Sequence, residues 1–155
     1  MAIELATNTG SFSQDVLVTQ IELLLNYSNR FYNRQFLTRK AVNNDIVTSL
    51  DVFLDEYFDQ NRGLKEGLPT VQLLSKSLGL STRYLSDMLR SLSGQNTQQY
   101  IQQVIIEKAK EKLSATKFSV SEIAYELGFE HPQSFNKFFK SKTAVSPLAF
   151  RHSFD

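Results

Sequence analysis

Residues 117–151 read KFSVSEIAYELGFEHPQSFNKFFKSKTAVSPLAFR. Ser119 followed by Glu122 predicts a capping box at the start of a helix, and Gly128 predicts the turn that ends it. Pro132 suits the first turn of a second helix, where no amide hydrogen is needed. That second helix is aromatic on one side, through Phe135, Phe138 and Phe139, and polar or basic on the other. The layout predicts a helix-turn-helix motif, whose second helix enters the major groove of DNA.

The same layout occurs once more upstream. Four positions match residues that lie 49 places later, namely Val71, Leu74, Leu78 and Gly79 with Val120, Ile123, Leu127 and Gly128. Four more match residues that lie 50 places later, namely Leu85, Leu89, Arg90 and Tyr100 with Phe135, Phe139, Lys140 and Phe150. The slip of one residue falls in a turn, where an insertion is tolerated best. A shared period predicts one structural unit used twice, and therefore two recognition helices, at about residues 82–92 and from Pro132 onward.

The rest of the chain has helical periodicity as well. A helix over about residues 97–115 is predicted between the two motifs, and Ser146-Pro147 starts a last short helix. Apolar spacing predicts one N-terminal helix from Asp15 and another over about residues 44–58, which together make a helical hairpin. Residues 60–68 contain two glycines before Pro69 and are predicted to be a linker. We therefore expect an all-α fold, with an N-terminal helical segment at residues 1–66 and a DNA-binding domain at residues 67–155.

Composition sets further bounds. The chain has 155 residues, no cysteine and a net charge of +1. Residues 1–66 carry 6 Lys/Arg against 9 Asp/Glu, a balance of −3, whereas residues 67–155 carry 11 against 7, a balance of +4. A basic C-terminal part suits phosphate binding. No apolar run approaches membrane-spanning length and no signal-peptide pattern precedes the helices, so we expect a cytoplasmic, nucleoid-associated protein without a membrane contact.

Residues 67–153 resemble the AraC/XylS family of bacterial transcription regulators. The resemblance is densest in Ser121-Glu-Ile-Ala, Leu127-Gly-Phe, Phe135-x-x-x-Phe139-Lys140 and Ser146-Pro147-x-x-Phe150-Arg151. The upstream motif fits through Leu80-Ser81-x-x-Tyr84-Leu85-x-x-Met88-Leu89 and through Gly94 with Tyr100-Ile101. Ala144 stands where the family often has glycine, and Phe150 where it usually has tyrosine. The resemblance implies two helix-turn-helix subdomains joined by a long helix, and it implies regulation of transcription.

The first recognition helix has an apolar face, for which we expect Tyr84, Leu85, Met88 and Leu89. Its opposite face offers Thr82, Arg83, Ser86, Asp87 and Arg90 to DNA. Arg83 fits the O6 and N7 atoms of guanine, whereas Arg90 suits a phosphate. Asp87 either accepts from the N4 amino group of cytosine or forms a surface ion pair with Arg83 or Arg90, and the sequence leaves both open.

The second recognition helix offers His131, Gln133, Ser134, Asn136, Lys137 and Lys140 to DNA. The amides of Gln133 and Asn136 can pair with the N6 and N7 atoms of adenine. Lys137 can reach guanine or a phosphate, and Lys140 suits the DNA backbone. Arg151 either contacts a phosphate or braces the last helix. A solvated face without function is the plainer interpretation of any one of these residues.

The sequence therefore predicts a sequence-specific DNA-binding regulator that inserts two helices into successive major grooves. An enzyme is not expected, because two histidines and no cysteine give no recognisable catalytic or metal-binding spacing. We expect no cofactor and no metal. The alternative is a helical protein-interaction or dimerisation module whose DNA binding is weak or lost. Residues 13–60 could pair with a second copy or with a sensor domain outside this sequence, and RNA polymerase is a further possible partner.

Overall fold

The computed structural model describes the backbone of residues 2–155 and the side chains of residue 10 and residues 12–155. Eight helices account for the regular structure of these described residues. They are α1 (Ala2–Asp59), α2 (Gly63–Glu66), α3 (Val71–Ser77), α4 (Thr82–Ser93), α5 (Thr97–Ala115), α6 (Val120–Leu127), α7 (Pro132–Thr143) and α8 (Pro147–His152). The predicted all-α fold is confirmed.

The predicted N-terminal hairpin is wrong. α1 is one continuous helix, and residues 32–43, where the hairpin would need its turn, are helical throughout. The physical reason lies in this stretch itself, which has neither glycine nor proline to end a helix. Two compact units divide the chain, Met1–Asn44 and Asp45–Asp155. The functional boundary that we expected between residues 66 and 67 stays a prediction.

In the first unit, every described side chain up to residue 42 is exposed to solvent. Many of these side chains are large and apolar, among them Leu17, Ile21, Leu24, Phe31 and Phe36. A set of apolar side chains of this size is normally covered by another surface in a folded protein.

In the second unit, one apolar core is built from the end of α1 and from α3, α4, α5, α6 and α7, with Phe150 of α8 packed against it. The C-terminal end of α1 contributes Leu50, Leu54, Tyr57 and Phe58, which are all at most 2% exposed. A hydrogen bond and an ion pair hold the same end of α1. The Tyr57 hydroxyl donates to the Gly67 carbonyl at 2.7 Å, and Lys108 on α5 pairs with Asp55 at 2.9 Å. Residues 45–59 are therefore part of the same folded unit as the helix-turn-helix motifs.

The predicted linker at residues 60–68 is also a packed element. α2 forms there and contacts α6. Gly63 lies so close to α6 that a Cβ atom on it would sit 2.8 Å from the Gly128 nitrogen and 2.9 Å from the Leu127 carbonyl carbon. Gly63 thus serves close backbone packing and Gly67 adopts a positive φ of +79°, and sequence pattern alone does not distinguish these roles from a linker.

The repeat is confirmed at its paired core and turn positions, although Leu78 is half-buried where Leu127 is fully buried. Leu74 and Ile123 are both fully buried, as are Leu85 and Phe135. The paired turn residues Gly79 and Gly128 both have positive φ, +66° and +103°, so both turns use the conformation that glycine adopts most easily.

Candidate nucleic-acid interface

Two helix-turn-helix motifs form the C-terminal part of the second unit. α3 contacts α4 in the first motif, α6 contacts α7 in the second, and α5 contacts α4, α6 and α8. α4 and α7 have 12 residues each and occupy the recognition position of their motif. The predicted starts of both helices and the predicted end of α4 agree with the structure to within one residue.

Side-chain caps mark the beginning of α3 and α4. The Ser81 hydroxyl accepts from the Tyr84 amide at the start of α4, and the Thr70 hydroxyl accepts from the Leu73 amide at the start of α3, both at 3.1 Å. The predicted capping box is present, with the Ser119 amide donating to Glu122 at 2.7 Å. This hydrogen bond from the backbone holds the pKa of the Glu122 carboxyl below its usual value.

The apolar side of α4 differs from our prediction at one residue. Leu85, Met88 and Leu89 are buried as expected, but Tyr84 is 46% exposed. It lies in the first turn beside Arg83, so its ring and hydroxyl are available at the end of the helix where DNA contacts are expected. Helical spacing placed Tyr84 at the edge of the apolar stripe, and an amphipathic side chain at such an edge can keep its polar end in water.

The outward face of α4 is as predicted. Thr82, Arg83, Asp87 and Arg90 are exposed, and Ser86 is half-buried. The Arg83 Nε atom lies 3.8 Å from an Asp87 carboxylate oxygen, one helical turn away. The surface ion pair that the sequence left open is therefore seen in the free protein, while contact with cytosine stays a prediction.

α7 presents a polar face and an aromatic face. Phe135 and Phe139 are fully buried, and Phe138 is half-buried against Phe129 with ring centroids 5.5 Å apart. The exposed predicted contacts are His131, Gln133, Ser134, Asn136, Lys137 and Lys140. A groove brings three of them together with the start of α8, and is lined by Val120, Asn136, Lys137, Lys140, Ser146, Pro147 and Leu148. Lys142 in the last turn is exposed as well. It was not predicted as a contact, although it follows Lys137 and Lys140 along the same helix.

Arg151 has a structural role. Its Nε atom donates to the Leu113 carbonyl at 3.1 Å and its Nη2 atom donates to the Phe118 carbonyl at 2.6 Å. These bonds fasten α8 to the C-terminal end of α5 and to the segment that follows it. Of the two roles open for Arg151, bracing is the one observed, and a phosphate contact stays a prediction.

Known proteins share this arrangement. Residues 74–153, just over half of the chain, match the model of a helix-turn-helix domain family. The C-terminal domain of the response regulator yesN from Fusobacterium nucleatum is 30% identical with a TM-score of 0.53, over 65% of this chain and 96% of that one. The C-terminal domain of AraT, a response regulator from Geobacillus stearothermophilus, is 27% identical with a TM-score of 0.59, over 70% and 84%.

The chain belongs to the AraC/XylS family of transcription regulators. Among members of this family, the regulatory protein SoxS of Salmonella typhimurium is 28% identical over 69% of this chain and 94% of SoxS. The transcriptional activator RhaS of Klebsiella pneumoniae is 28% identical over 92% of this chain and 47% of RhaS. The family and these relatives are DNA-binding transcription regulators and not enzymes, as the sequence predicts.

The match extends into longer proteins. The chain spans about half the length of RhaS and a tenth of the length of histidine kinase P4 of Formosa agariphila, to which it is 24% identical over 144 residues.

The fold is also similar to that of the DNA-binding domain of AdpA, solved in complex with a target DNA, at 23% identity and a TM-score of 0.56. Within the described residues, no helix is long and apolar enough to cross a membrane.

Proposed function

We propose that this protein regulates transcription by inserting α4 and α7 into two successive major grooves of its DNA site. The observation that carries the proposal is the doubled motif, in which equivalent 12-residue helices expose polar and basic side chains and bury the opposite face. Two recognition helices on one face of a duplex must enter grooves about one turn apart, roughly 34 Å. If the protein holds them closer, the DNA bends.

The proposal assigns two kinds of contact to these helices. Arg83, Gln133 and Asn136 carry the donor groups that discriminate bases, whereas Arg90 and Lys140 lie further along their helices and suit the backbone. The proposed contact surface is completed by Thr82, Ser86, Asp87, His131, Ser134 and Lys137.

The proposal is tested by measuring binding to a randomised duplex library over a range of salt concentrations. A selected site that spans two adjacent major grooves, with an affinity that falls as salt rises, is expected. Hydroxyl-radical footprinting on the selected site adds a direct measure, because two protected stretches one helical turn apart indicate two inserted helices. Binding that ignores sequence at every salt concentration would contradict the proposal.

A second function is favoured by the first unit. Its exposed apolar side chains need a covering surface, which supports an interaction or dimerisation module. We propose that α1 up to Asn44 pairs with a second copy or with a sensor domain outside this sequence.

We further propose that the protein acts in the cytoplasm on the nucleoid. Activation through RNA polymerase is proposed on the resemblance to RhaS, which is named a transcriptional activator.

A further inference from the structure

The two recognition helices differ in chemistry. The face of α7 combines the amides of Gln133 and Asn136 with lysines, and residues 132–143 contain no acidic residue. α4 instead carries Asp87 between Arg83 and Arg90. Asp87 is therefore the one carboxylate on the two recognition helices. An acidic side chain on a surface that approaches phosphates needs an explanation.

Helix stability does not explain the acidic side chain of Asp87. Asp87 is the sixth residue of α4, beyond the first turn in which the helix dipole favours an acidic side chain. Its ion pair with Arg83 spans 3.8 Å between side chains that are 63% and 92% exposed, and pairs of this kind contribute little to stability. Two other carboxylates of the second unit have closer partners: Asp51 accepts from the Tyr100 hydroxyl, and Glu126 pairs with Lys112 at 2.7 Å.

The major groove offers one group that a carboxylate can use. Cytosine presents its N4 amino group as a donor there, and guanine presents O6 and N7, which fit the fork of an arginine. Arg83 and Asp87 lie one helical turn apart, about 6 Å along the axis. That distance is close to two base-pair steps of about 3.4 Å each, so the two side chains can reach bases that lie two pairs apart. Without a cytosine in place, phosphates repel the carboxylate, and its exposed ion pair with Arg83 offsets little of that cost.

We propose that Asp87 selects cytosine by accepting a hydrogen bond from its N4 amino group. Together with Arg83 it makes the site of α4 dependent on G·C pairs, while the amides of α7 make the second site dependent on A·T pairs. Asp87 thus contributes specificity mainly by penalising wrong sequences. The inference rests on the proposed function, because it requires α4 to lie in a major groove.

The test uses the full chain with Asp87→Ala and Asp87→Asn, and with Glu56→Ala as a matched control that removes an exposed carboxylate from α1. Each variant is selected against a randomised duplex library and then titrated with the wild-type site and with random DNA. For wild type, we expect a cytosine preference at one position of the α4 site. Asp87→Ala should reduce that preference about tenfold and bind random DNA more tightly. Asp87→Asn should shift the preference toward adenine, which pairs with an asparagine amide.

The outcomes separate this inference from the proposed function. If wild type selects a two-groove site and Asp87→Ala selects the same bases at every position, Asp87 forms a surface ion pair and the inference is overturned. A change of equal size in Glu56→Ala would overturn it too, because the effect would then come from net charge. If wild type selects no sequence at all, the proposed function fails and the inference fails with it.

Discussion

At the scale of single residues, Ala144 has the most unusual backbone. It ends α7 with φ of +66°, the left-handed conformation that the family's frequent glycine would adopt more easily. Ala144 stands where the family often has glycine, and the turn keeps its left-handed conformation with alanine in place. For an L-residue this costs about 1–2 kcal/mol.

Ala144→Gly is therefore expected to stabilise the protein. Relief of the left-handed strain exceeds the extra entropy that glycine gives the unfolded chain, about 0.4–1 kcal/mol, so a net gain of about 0.5–1 kcal/mol is expected. Chemical denaturation measures it, with an unchanged m-value as evidence that the folded state is the same. A loss of stability would mean that the strain at Ala144 is smaller than the entropy term.

The proposed division between base contacts and phosphate contacts is also tested at this scale. Arg83→Ala and Asn136→Ala should each weaken binding to the preferred site by about 1–3 kcal/mol and relax selectivity at one base position. Arg90→Ala and Lys140→Ala should weaken binding to all sequences similarly and lower the salt slope by about one each. Titrations at several salt concentrations distinguish the two classes, and four indistinguishable variants would refute the division.

At the scale of elements, α2, which begins at Gly63 and is followed by Gly67, connects the end of α1 to the second motif. Gly63 touches the backbone of α6, and Gly67 touches Gly128, the turn residue of the same motif. The Tyr57 hydroxyl donates to the carbonyl of Gly67, and burial, more than the nearby Glu66 carboxylate, raises the pKa of that phenol. The segment predicted as a linker thus contacts the second motif through Gly63 and Gly67, and the end of α1 through Tyr57.

Gly63→Ala is expected to destabilise the second unit by about 2–3 kcal/mol or more, because a buried methyl group would overlap backbone atoms of α6 that cannot move independently. Gly10→Ala is the matched control, since nothing lies within 4 Å of the position that its methyl group would take and alanine favours a helix. Thermal unfolding of both variants gives the comparison. Equal midpoints for Gly63→Ala and wild type would show that α2 is not packed on α6 in solution.

At the scale of the whole molecule, the core shows how much chain the DNA-binding unit needs. The sequence predicts a DNA-binding domain over residues 67–155, and Leu50, Leu54, Tyr57 and Phe58 before it belong to the core of the same folded unit. Removing residues 1–66 would expose their partners and leave Lys108 without Asp55 and Asp59. The smallest unit that keeps the core begins at Asp45.

Residues 45–155 are accordingly expected to fold and to bind a single site within about tenfold of the full chain, roughly 1.4 kcal/mol. Any self-association of the full chain should be lost, because the exposed apolar side chains of the first unit are gone. Circular dichroism, DNA titration and light scattering after size-exclusion chromatography measure the three properties. A folded fragment that no longer binds would place residues 1–44 in the DNA-binding surface, and a fragment that still self-associates would locate the interface elsewhere.

The sequence by itself determined the features that depend on neighbours along the chain. Caps at Ser81 and Ser119, the turns at Gly79 and Gly128, and the apolar faces of α4 and α7 follow from local chemistry repeated with a period near 50, so their positions could be predicted almost to the residue. The outward face of each recognition helix followed from the same periodicity.

Only the tertiary structure decided the features that depend on distant residues. Glycine signals a flexible linker and close packing equally well, so the role of Gly63 depends on α6, some sixty residues later. The sequence left two roles open for Arg151. Its bracing role is seen only in the structure, where it donates to the carbonyls of Leu113 and Phe118. Apolar stripes predicted two N-terminal helices, and only the tertiary structure shows which stripe is covered: residues 45–59 pack into the core, and residues 12–42 remain exposed.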